Sequence, residues 1–235
     1  MIFYYVRHGD PIYNPDSLTP LGHRQAEAVG RRLSQHGLDK IFASTSNRAI
    51  LTATPTAEML KKEITTLEFA NENLAWAELT VERNGKKTWI FGDDQIRKLF
   101  SDPSVLSLGF DWFTHPELAP YEKGIKRVQN EVNGFFKALG YEHIQNTGTY
   151  KVLASNNERV AMFAHQGFGI AFLSAVLDIP YPLVAMHMDM SHSDVTVIEF
   201  AEKDGIAVPK MLMLSNDSHL YKEGLPTKYN NSMYL

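Results

Sequence analysis

Cysteine is absent from this chain of 235 residues. Without a thiol, the chain can form no disulfide, no thiolate metal site and no cysteine nucleophile. The absence also fits a reducing cytoplasm. No apolar stretch approaches transmembrane length, and the start MIFYYVRHGD lacks the basic region and small-residue cleavage site of a signal peptide. We therefore expect a cytoplasmic protein with no membrane partner.

An excess of positive charge is also lacking, because the formal net charge at pH 7 is −4. Such a chain has no electrostatic footprint for nucleic acid, so any attraction for an anion must come from a few converging basic groups. The apolar content of 44% and charged content of 21% are ordinary for a soluble globular protein. The length is sufficient for one large domain that carries an insertion.

Strand and helix patterns alternate along the first sixty residues. Residues 2–6 form an apolar run typical of a buried strand, and a helix is predicted from Thr19 and Pro20, with threonine as N-cap. A second strand is predicted over 40–44 and a second helix over 46–62. This order predicts an α/β fold, a three-layer α/β/α sandwich with a mostly parallel central sheet.

The second half of the chain continues the pattern. Apolar residues at helical spacing predict an amphipathic helix over 125–139. A buried strand is predicted over 159–164, followed by an almost wholly apolar helix over 168–177. Two late strands over 195–200 and 207–214 are expected to lie antiparallel at the far edge of the sheet.

Residues 80–121 mix glycine and proline with many aromatic residues. We interpret this segment as an insertion at the sheet edge that covers the active-site cleft, within a single domain spanning 1–235. Its aromatics are expected to be mostly core, with some lining a substrate cleft. The polar segment from Ser215 onward is expected to pack on the body or on another subunit, which leaves a homodimer open.

Residues suited to phosphate chemistry follow three of the predicted strands. Arg7, His8 and Gly9 end the first strand, Arg48 follows the second, and His165 ends the strand over 159–164. Arginine offers a planar fork of donors for phosphate oxygens, and a neutral histidine can act as a nucleophile. Because α/β folds build their sites at the carboxyl ends of strands, these groups are expected to converge.

Together these motifs resemble the histidine phosphatase superfamily, which includes the phosphoglycerate-mutase-like enzymes. The resemblance implies that His8 forms a phosphohistidine and that Arg7, Arg48 and His165 bind phosphate, with His165 also counted as catalytic. It implies a proton donor after the third strand, for which Glu78 is the best match, with Glu72 and Glu82 as neighbouring candidates. Asn14 matches the family's asparagine beyond the Arg-His-Gly motif and is expected to bind phosphate. No metal and no other cofactor is implied.

The function expected from this resemblance is a metal-independent phosphomonoester hydrolase of the histidine acid-type, with a small phosphorylated metabolite as substrate. A phosphoglycerate-type mutase is an alternative, although the segment after Asn14 is shorter than in typical mutases. A phospholigand-binding protein without turnover is a third possibility. The specificity is expected to depend on residues 10–18 and 80–121.

Simpler interpretations exist for each residue. A histidine at a strand end is more often a hydrogen-bonded structural residue than a nucleophile, and Arg48 could pair with a surface acid. The spacing of His187, Asp189, His192 and Asp194 loosely suggests a metal site, but a loop that borders the phosphate pocket is the favoured interpretation.

Overall fold

The computed structural model describes residues 1–227. The strands in that range are β1 (Ile2–Arg7), β2 (Pro11–Tyr13), β3 (Asp16–Leu18), β4 (Lys40–Ser44), β5 (Ile64–Leu67), β6 (Thr80–Arg83), β7 (Lys86–Trp89), β8 (Tyr141–Ile144), β9 (Thr149–Val152), β10 (Arg159–Ala164), β11 (Val195–Lys203) and β12 (Ile206–Asn216). The α-helices are α1 (Pro20–Ser34), α2 (Asn47–Leu60), α3 (Glu72–Glu78), α4 (Asp94–Phe100), α5 (Pro103–Leu106), α6 (Glu122–Ala138), α7 (Gln166–Leu177), α8 (Tyr181–His187) and α9 (Ser218–Lys222).

Eight strands form one mixed sheet in the order β5-β4-β10-β1-β11-β12-β9-β8. The first four strands of this order are parallel to one another. The strands from β11 onward pair antiparallel, as expected for the late strands. The predicted α/β class is therefore confirmed, and its parallel part contains the strands that precede His8, Arg48 and His165.

Side chains alternate between the two faces of the sheet, as the period of a strand requires. In β1, Phe3 and Tyr5 belong to one apolar core and Val6 to a second, smaller one. The larger core includes buried residues of α6 and α7, whereas the smaller one includes residues of α1 and α2. Helices therefore cover both faces, which is the predicted three-layer arrangement.

The entry to α1 follows the predicted capping signal. The Thr19 side chain accepts a hydrogen bond from Gly22 N at 3.0 Å, and Pro20 opens the helix. A side chain at Gly9 would be impossible here, because its Cβ would lie 2.6 Å from the carbonyl oxygen of Gly22. This close approach holds the turn after β1 against the start of α1.

Residues 80–121 contain a β6–β7 hairpin, α4, α5 and short 3-10 turns. The hairpin turns at Asn84 and Gly85, both with positive φ, as an Asn-Gly turn favours. Phe100 and Trp112 are fully buried and belong to the same apolar core as β1. This shared core supports the prediction of one domain.

The segment from Ser215 begins with the end of β12 and continues into α9. Leu220 of α9 packs against Ala28 of α1, so this part lies on the body of the protein. Residues 228–235 of the expected tail lie outside the described range. Within residues 1–227, no helix is both long and apolar enough to cross a membrane.

Candidate active site

The carboxyl ends of the four parallel strands bring the candidate residues together. His8 directly follows β1, Ser44 ends β4 and His165 directly follows β10. The backbone N–H of His8 donates to the carbonyl of Ala164 at 2.9 Å, which holds the ends of β1 and β10 side by side. The imidazole centroids of His8 and His165 are 5.2 Å apart.

His8 is buried, and its Nδ1 lies 2.8 Å from the carbonyl oxygen of Gly9. Because a carbonyl oxygen only accepts, Nδ1 carries the proton and Nε2 keeps its lone pair in the neutral ring. Burial, the largest cause, holds the pKa of His8 well below its ordinary value, and the positive groups around it act in the same direction. The imidazole is therefore neutral near pH 7, as a nucleophile requires.

Arg7 directly precedes His8 in the chain and is almost fully buried. Its Nη1 donates to the carbonyl oxygen of Met190 at 2.5 Å, and its Nη2 lies 2.9 Å from His192 Nε2. The ring centroid of His192 is 5.7 Å from that of His8. His192 therefore borders the site, in agreement with the interpretation of its segment as the edge of the phosphate pocket.

Arg48 opens the first turn of α2 and is buried. Its Nη1 bonds to Asp16 Oδ1 at 2.8 Å and its Nη2 to Glu72 Oε2 at 3.0 Å. The ring of Tyr13 lies over the guanidinium, 5.4 Å from Cζ to centroid. Arg48 is thus paired with acids, as the simpler interpretation allowed, but one of those acids belongs to the histidine cluster.

His165 is completely buried, and its Nε2 lies 2.8 Å from Ser44 Oγ. Burial is the main reason that its pKa lies well below the ordinary value, and Arg48 and Arg7 lower it further. The sequence argument did not identify Ser44. Ser44 ends β4, and a place at the end of a strand is the feature by which the sequence argument identified His8 and His165.

Glu72 is the acidic residue at the centre of the cluster. Its Oε1 accepts a hydrogen bond from Gly167 N, in the first turn of α7, at 3.0 Å. Ligating atoms of His8, Glu72 and His165 all lie within 4.8 Å of one another. Asn71 caps α3 by accepting from Asn73 N, and this cap places Glu72 at the first helical position.

Glu78 lies at the other end of α3 and has a different partner. Its Oε2 accepts from Arg127 Nε on α6 at 2.7 Å. A close approach of α6 at Gly124, whose Cβ would lie 2.7 Å from Glu78 Cβ, keeps this end against α6. The carboxylate that lies with His8 is therefore that of the neighbouring candidate Glu72 and not that of Glu78. Which acid donates the proton stays a prediction. Glu82, the other neighbour, lies in strand β6.

Asn14 is exposed in the two-residue turn between β2 and β3. The residues of this hairpin that line the cleft are its neighbours Tyr13 and Asp16. In this geometry Asp16, and not Asn14, is the hairpin residue that bonds to Arg48. The phosphate contact of Asn14 stays a prediction.

Two buried guanidinium N–H groups of the cluster, Arg7 Nε and Arg48 Nε, have no hydrogen-bond partner among residues 1–227. The ring nitrogen His165 Nδ1 has none there either, and it lies 3.6 Å from Glu72 Oε2. A buried N–H group without an acceptor is costly, so this set favours an anionic ligand with several oxygens. The first-turn amide of Gly167 faces an anion already, in the form of the Glu72 carboxylate.

The cluster that could hold a metal ion among residues 1–227 is formed by His8, Glu72 and His165. The adjacent Arg48 bonds to Glu72 and so supplies a cation already. The loosely suggested site at 187–194 is not such a cluster within the described range. Its Asp189 instead accepts from the Gln166 side chain.

A cleft of about 560 Å³ opens beside Arg48 and Glu72. Its walls come from three places in the chain: the β2–β3 hairpin, the segment from the end of β4 to α3, and the hairpin of residues 80–121. The residues that line it are Tyr13, Asp16, Thr45, Ser46, Arg48, Asn71, Glu72, Asn73, Trp76 and Trp89. A ligand in this cleft therefore lies next to the proposed phosphate donors.

Comparison with known proteins supports the same interpretation. The family model of the histidine phosphatase superfamily (branch 1) matches residues 3–96. No curated protein matches the chain by sequence.

Solved structures resemble the chain over nearly its whole length. A phosphoserine phosphatase mutant from Entamoeba histolytica in complex with phosphoserine has a TM-score of 0.61 and 16% identity, covering 93% of this chain and 98% of that one. A mycobacterial hydrolase has a TM-score of 0.58 and 18% identity, covering 92% and 98%. A mycobacterial glucosyl-3-phosphoglycerate phosphatase has a TM-score of 0.57 and 14% identity, covering 91% and 98%. The resemblance stated from the motifs is therefore confirmed: this chain has the histidine phosphatase fold, and its residues 3–96 match the histidine phosphatase superfamily.

Proposed function

We propose that this protein hydrolyses phosphomonoesters through a phosphohistidine formed on His8. The observation that carries the proposal is the buried, neutral His8, whose Nδ1 is anchored to Gly9 O and which lies within 4.8 Å of Glu72 and His165. The family match and the phosphatases among the structural neighbours support phosphatase- or mutase-type activity.

The phosphate group would be held by the donors that surround His8. Arg7 and Arg48 supply guanidinium groups, His165 supplies a ring N–H, and Gly167 supplies a helix N-terminal amide. The Glu72 carboxylate now bonds to Arg48 and Gly167. A phosphate entering the site would take over these two donors and leave Glu72 beside its ester oxygen.

The reaction then needs no group from outside the chain except water. Glu72 takes up a proton from solvent once the phosphate has displaced it from Arg48 and Gly167. His8 Nε2 then forms a bond to phosphorus while the ester P–O bond breaks, and Glu72 gives that proton to the leaving oxygen. The Glu72 carboxylate next takes a proton from a water molecule that attacks the phosphohistidine. Inorganic phosphate leaves, and His8 and Glu72 return to their starting forms.

Fixed positive groups matter most in this scheme. The transition state of phosphoryl transfer spreads charge over the equatorial oxygens, so preorganised donors stabilise it without reorganisation. A phosphate dianion beside His165 would raise the pKa of that ring, opposite to the lowering by burial and the arginines. In the loaded site His165 would therefore donate as a cation.

The test is to trap the intermediate. The protein is mixed with a phosphomonoester carrying labelled phosphorus and quenched in alkali, in which phosphohistidine survives. We expect label on His8 in the wild type, no label in His8→Ala, and phosphate release abolished with it. Equal hydrolysis by wild type and His8→Ala would overturn the proposal. Transfer of label to a second hydroxyl faster than release of phosphate would instead indicate a mutase.

A further inference from the structure

Three aromatic side chains line the cleft beside Arg48: Tyr13, Trp76 and Trp89. The indole rings of Trp76 and Trp89 meet edge to face, with centroids 5.0 Å apart at 82°. Trp89 also stacks on Phe91, at 5.6 Å and 12°. The ring of Tyr13 is two-thirds exposed on the other side. Aromatic walls of this kind bind flat or ring-shaped groups by stacking.

The indole ring of Trp89, the last residue of β7, packs against the start of α7. A Cβ on Gly167 would lie only 2.3 Å from its ring, so the indole packs directly on the glycine backbone. Gly167, two positions after His165, thus contacts Trp89, which forms one wall of the cleft. An aromatic wall in a fixed position costs little conformational entropy when a ligand binds to it.

The charge in the cleft argues against a second anionic group on the ligand. Among the described residues that line it, Arg48 is the one lysine or arginine. Its two terminal nitrogens are already paired with Asp16 and Glu72. A carboxylate next to the phosphate ester would therefore meet the carboxylate of Asp16 without a matching cation, and like charges brought together in this way disfavour binding.

The remaining lining groups are neutral and polar. They are Thr45, Ser46, Asn71 and Asn73, whose hydroxyl and amide groups can both donate and accept. Asn71 Nδ2 donates to Thr45 Oγ1 at 2.9 Å, while Asn73 lies exposed at the rim. Such groups suit hydroxyl or carbonyl substituents better than ionised ones.

We infer that this cleft selects phosphomonoesters whose leaving group is an uncharged ring, a sugar or an aryl group, and disfavours leaving groups that carry a carboxylate. The inference rests on the proposed function and narrows its substrate class. It also separates this chain from neighbours whose names specify phosphoserine and glucosyl-3-phosphoglycerate, both of which contain a carboxyl group.

In a competing arrangement, Lys87 would bind a carboxylate of the substrate. Its Nζ lies 5.7 Å from the ring centroid of Trp76, so a carboxylate reaching the outer side of Trp76 would find a cation there. Lys87 is exposed and does not line the cleft. The variant Lys87→Ala therefore distinguishes the two arrangements.

The first experiment compares kcat/KM for substrates that differ in one feature. Glycerol 1-phosphate and 3-phosphoglycerate differ by a carboxylate, while glucose 6-phosphate and phenyl phosphate supply the two kinds of ring. We expect the better ring substrate to exceed 3-phosphoglycerate by about tenfold or more, and glycerol 1-phosphate to exceed it by a smaller factor. For phenyl phosphate the comparison uses KM, because an aryl oxygen leaves more easily whatever the cleft contacts. The two ring substrates show which ring the cleft prefers.

The second experiment changes the walls. Tyr13→Ala removes an exposed ring, so folding is not at risk, and we expect KM for the ring substrate to rise about threefold or more while glycerol 1-phosphate changes less. Asn73→Lys adds a cation at the rim, and we expect it to raise kcat/KM for 3-phosphoglycerate relative to the matched variant Asn73→Gln.

The outcomes separate this inference from the proposed function. No phosphate released from any of the four compounds would contradict phosphomonoester hydrolysis itself. Hydrolysis with 3-phosphoglycerate preferred would overturn the inference alone, and loss of that preference in Lys87→Ala would assign carboxylate recognition to Lys87. Equal effects of Tyr13→Ala on ring and glycerol substrates would also overturn it.

Discussion

The two ends of α3 carry the same acidic residue in two different environments. At the first position, Glu72 bonds to Arg48 and to the start of α7, within 4.8 Å of the two histidines. At the last position, Glu78 bonds to Arg127 on α6. A seven-residue helix separates its ends by about 9 Å, which is enough to place one acid in the candidate site and the other in a structural ion pair.

The comparison shows that a residue type and an approximate motif do not assign a role by themselves. Glu78 follows a largely apolar stretch of α3, whereas Glu72 follows the capping residue Asn71. The first turn of α3 lies close to the carboxyl ends of the parallel strands, because α3 begins shortly after β5. The last turn of α3 lies farther from those strand ends.

The largest expected difference between the two acids is in turnover. Glu72→Gln is expected to lower kcat for an alkyl phosphomonoester by about 10²–10⁴-fold, because an amide cannot supply the proton to the leaving oxygen. Glu78→Gln is expected to change kcat by less than about threefold, because its partner is Arg127. Steady-state kinetics of both variants on one substrate measure this contrast.

The leaving group provides the control for this prediction. An aryl oxygen leaves with less need for a proton, so Glu72→Gln should lose less activity on phenyl phosphate than on an alkyl phosphate. An equal loss on both substrates would contradict the role of Glu72 as proton donor. A larger loss in Glu78→Gln than in Glu72→Gln would reverse the comparison.

A smaller effect is expected in stability, and here Glu78 should matter. Glu78→Gln is expected to lower the free energy of unfolding by about 1–2 kcal/mol, because it leaves the partly buried Arg127 with a weaker acceptor. Arg127 Nη1 and Nη2 have no other partner among the described residues. Urea denaturation measures the change.

The exposed pair Lys137–Glu142 is a matched control for that measurement, since its side chains are 59% and 40% exposed. Glu142→Gln should change the free energy of unfolding very little, because water already screens the pair. If Glu78→Gln lowers the free energy of unfolding no more than this control does, the Glu78–Arg127 ion pair does not stabilise the fold.

A further expected effect is a pH dependence of stability, to which the two histidines at the Glu72 end contribute. The pKa values of His8 and His165 are held well below 6.5, mainly by burial, so the folded state binds fewer protons than the unfolded chain. Their contribution is fully present above pH 6.5 and is lost as the pH falls below it. The two histidines therefore favour a decrease in stability between about pH 7.5 and pH 5.5. His219, whose pKa burial lowers to about 4, reinforces this decrease, whereas Asp194, whose pKa burial raises to about 7, opposes it.

Two variants assign this pH dependence. His165→Asn should make the decrease smaller, because one buried histidine no longer has to be protonated, whereas Glu78→Gln should leave the decrease unchanged. Unfolding free energies at the two pH values measure both. A decrease of the same size in His165→Asn and in the wild type would contradict the assignment to the cluster.

The sequence argument located residues of the candidate site because it searched the ends of the predicted strands. Arg7, His8 and His165 were identified because buried strands are visible as apolar runs and because parallel strands end at a common edge. Arg48 was identified by its position in the first turn after β4. These are local features, so no knowledge of distant contacts was needed.

Residues 72–121 show where local features are insufficient. The capping signal of Asn71 marks the start of α3, but it does not say which acid of that helix faces His8. The Asn84–Gly85 turn marks a hairpin, but it does not say that Trp89 packs on Gly167. Both facts depend on contacts between residues far apart in the chain.

The sequence by itself determined the alternation of strand and helix over the first sixty residues, the α/β class and the basic residues at the strand ends, because periodicity, capping and strand ends are local. Only the tertiary structure decided that Glu72 rather than Glu78 joins His8, that Asp16 rather than Asn14 bonds to Arg48, and that Trp89 lines the cleft. The physical reason is that side-chain contacts depend on how whole helices and hairpins pack, and that packing is set by the shared core.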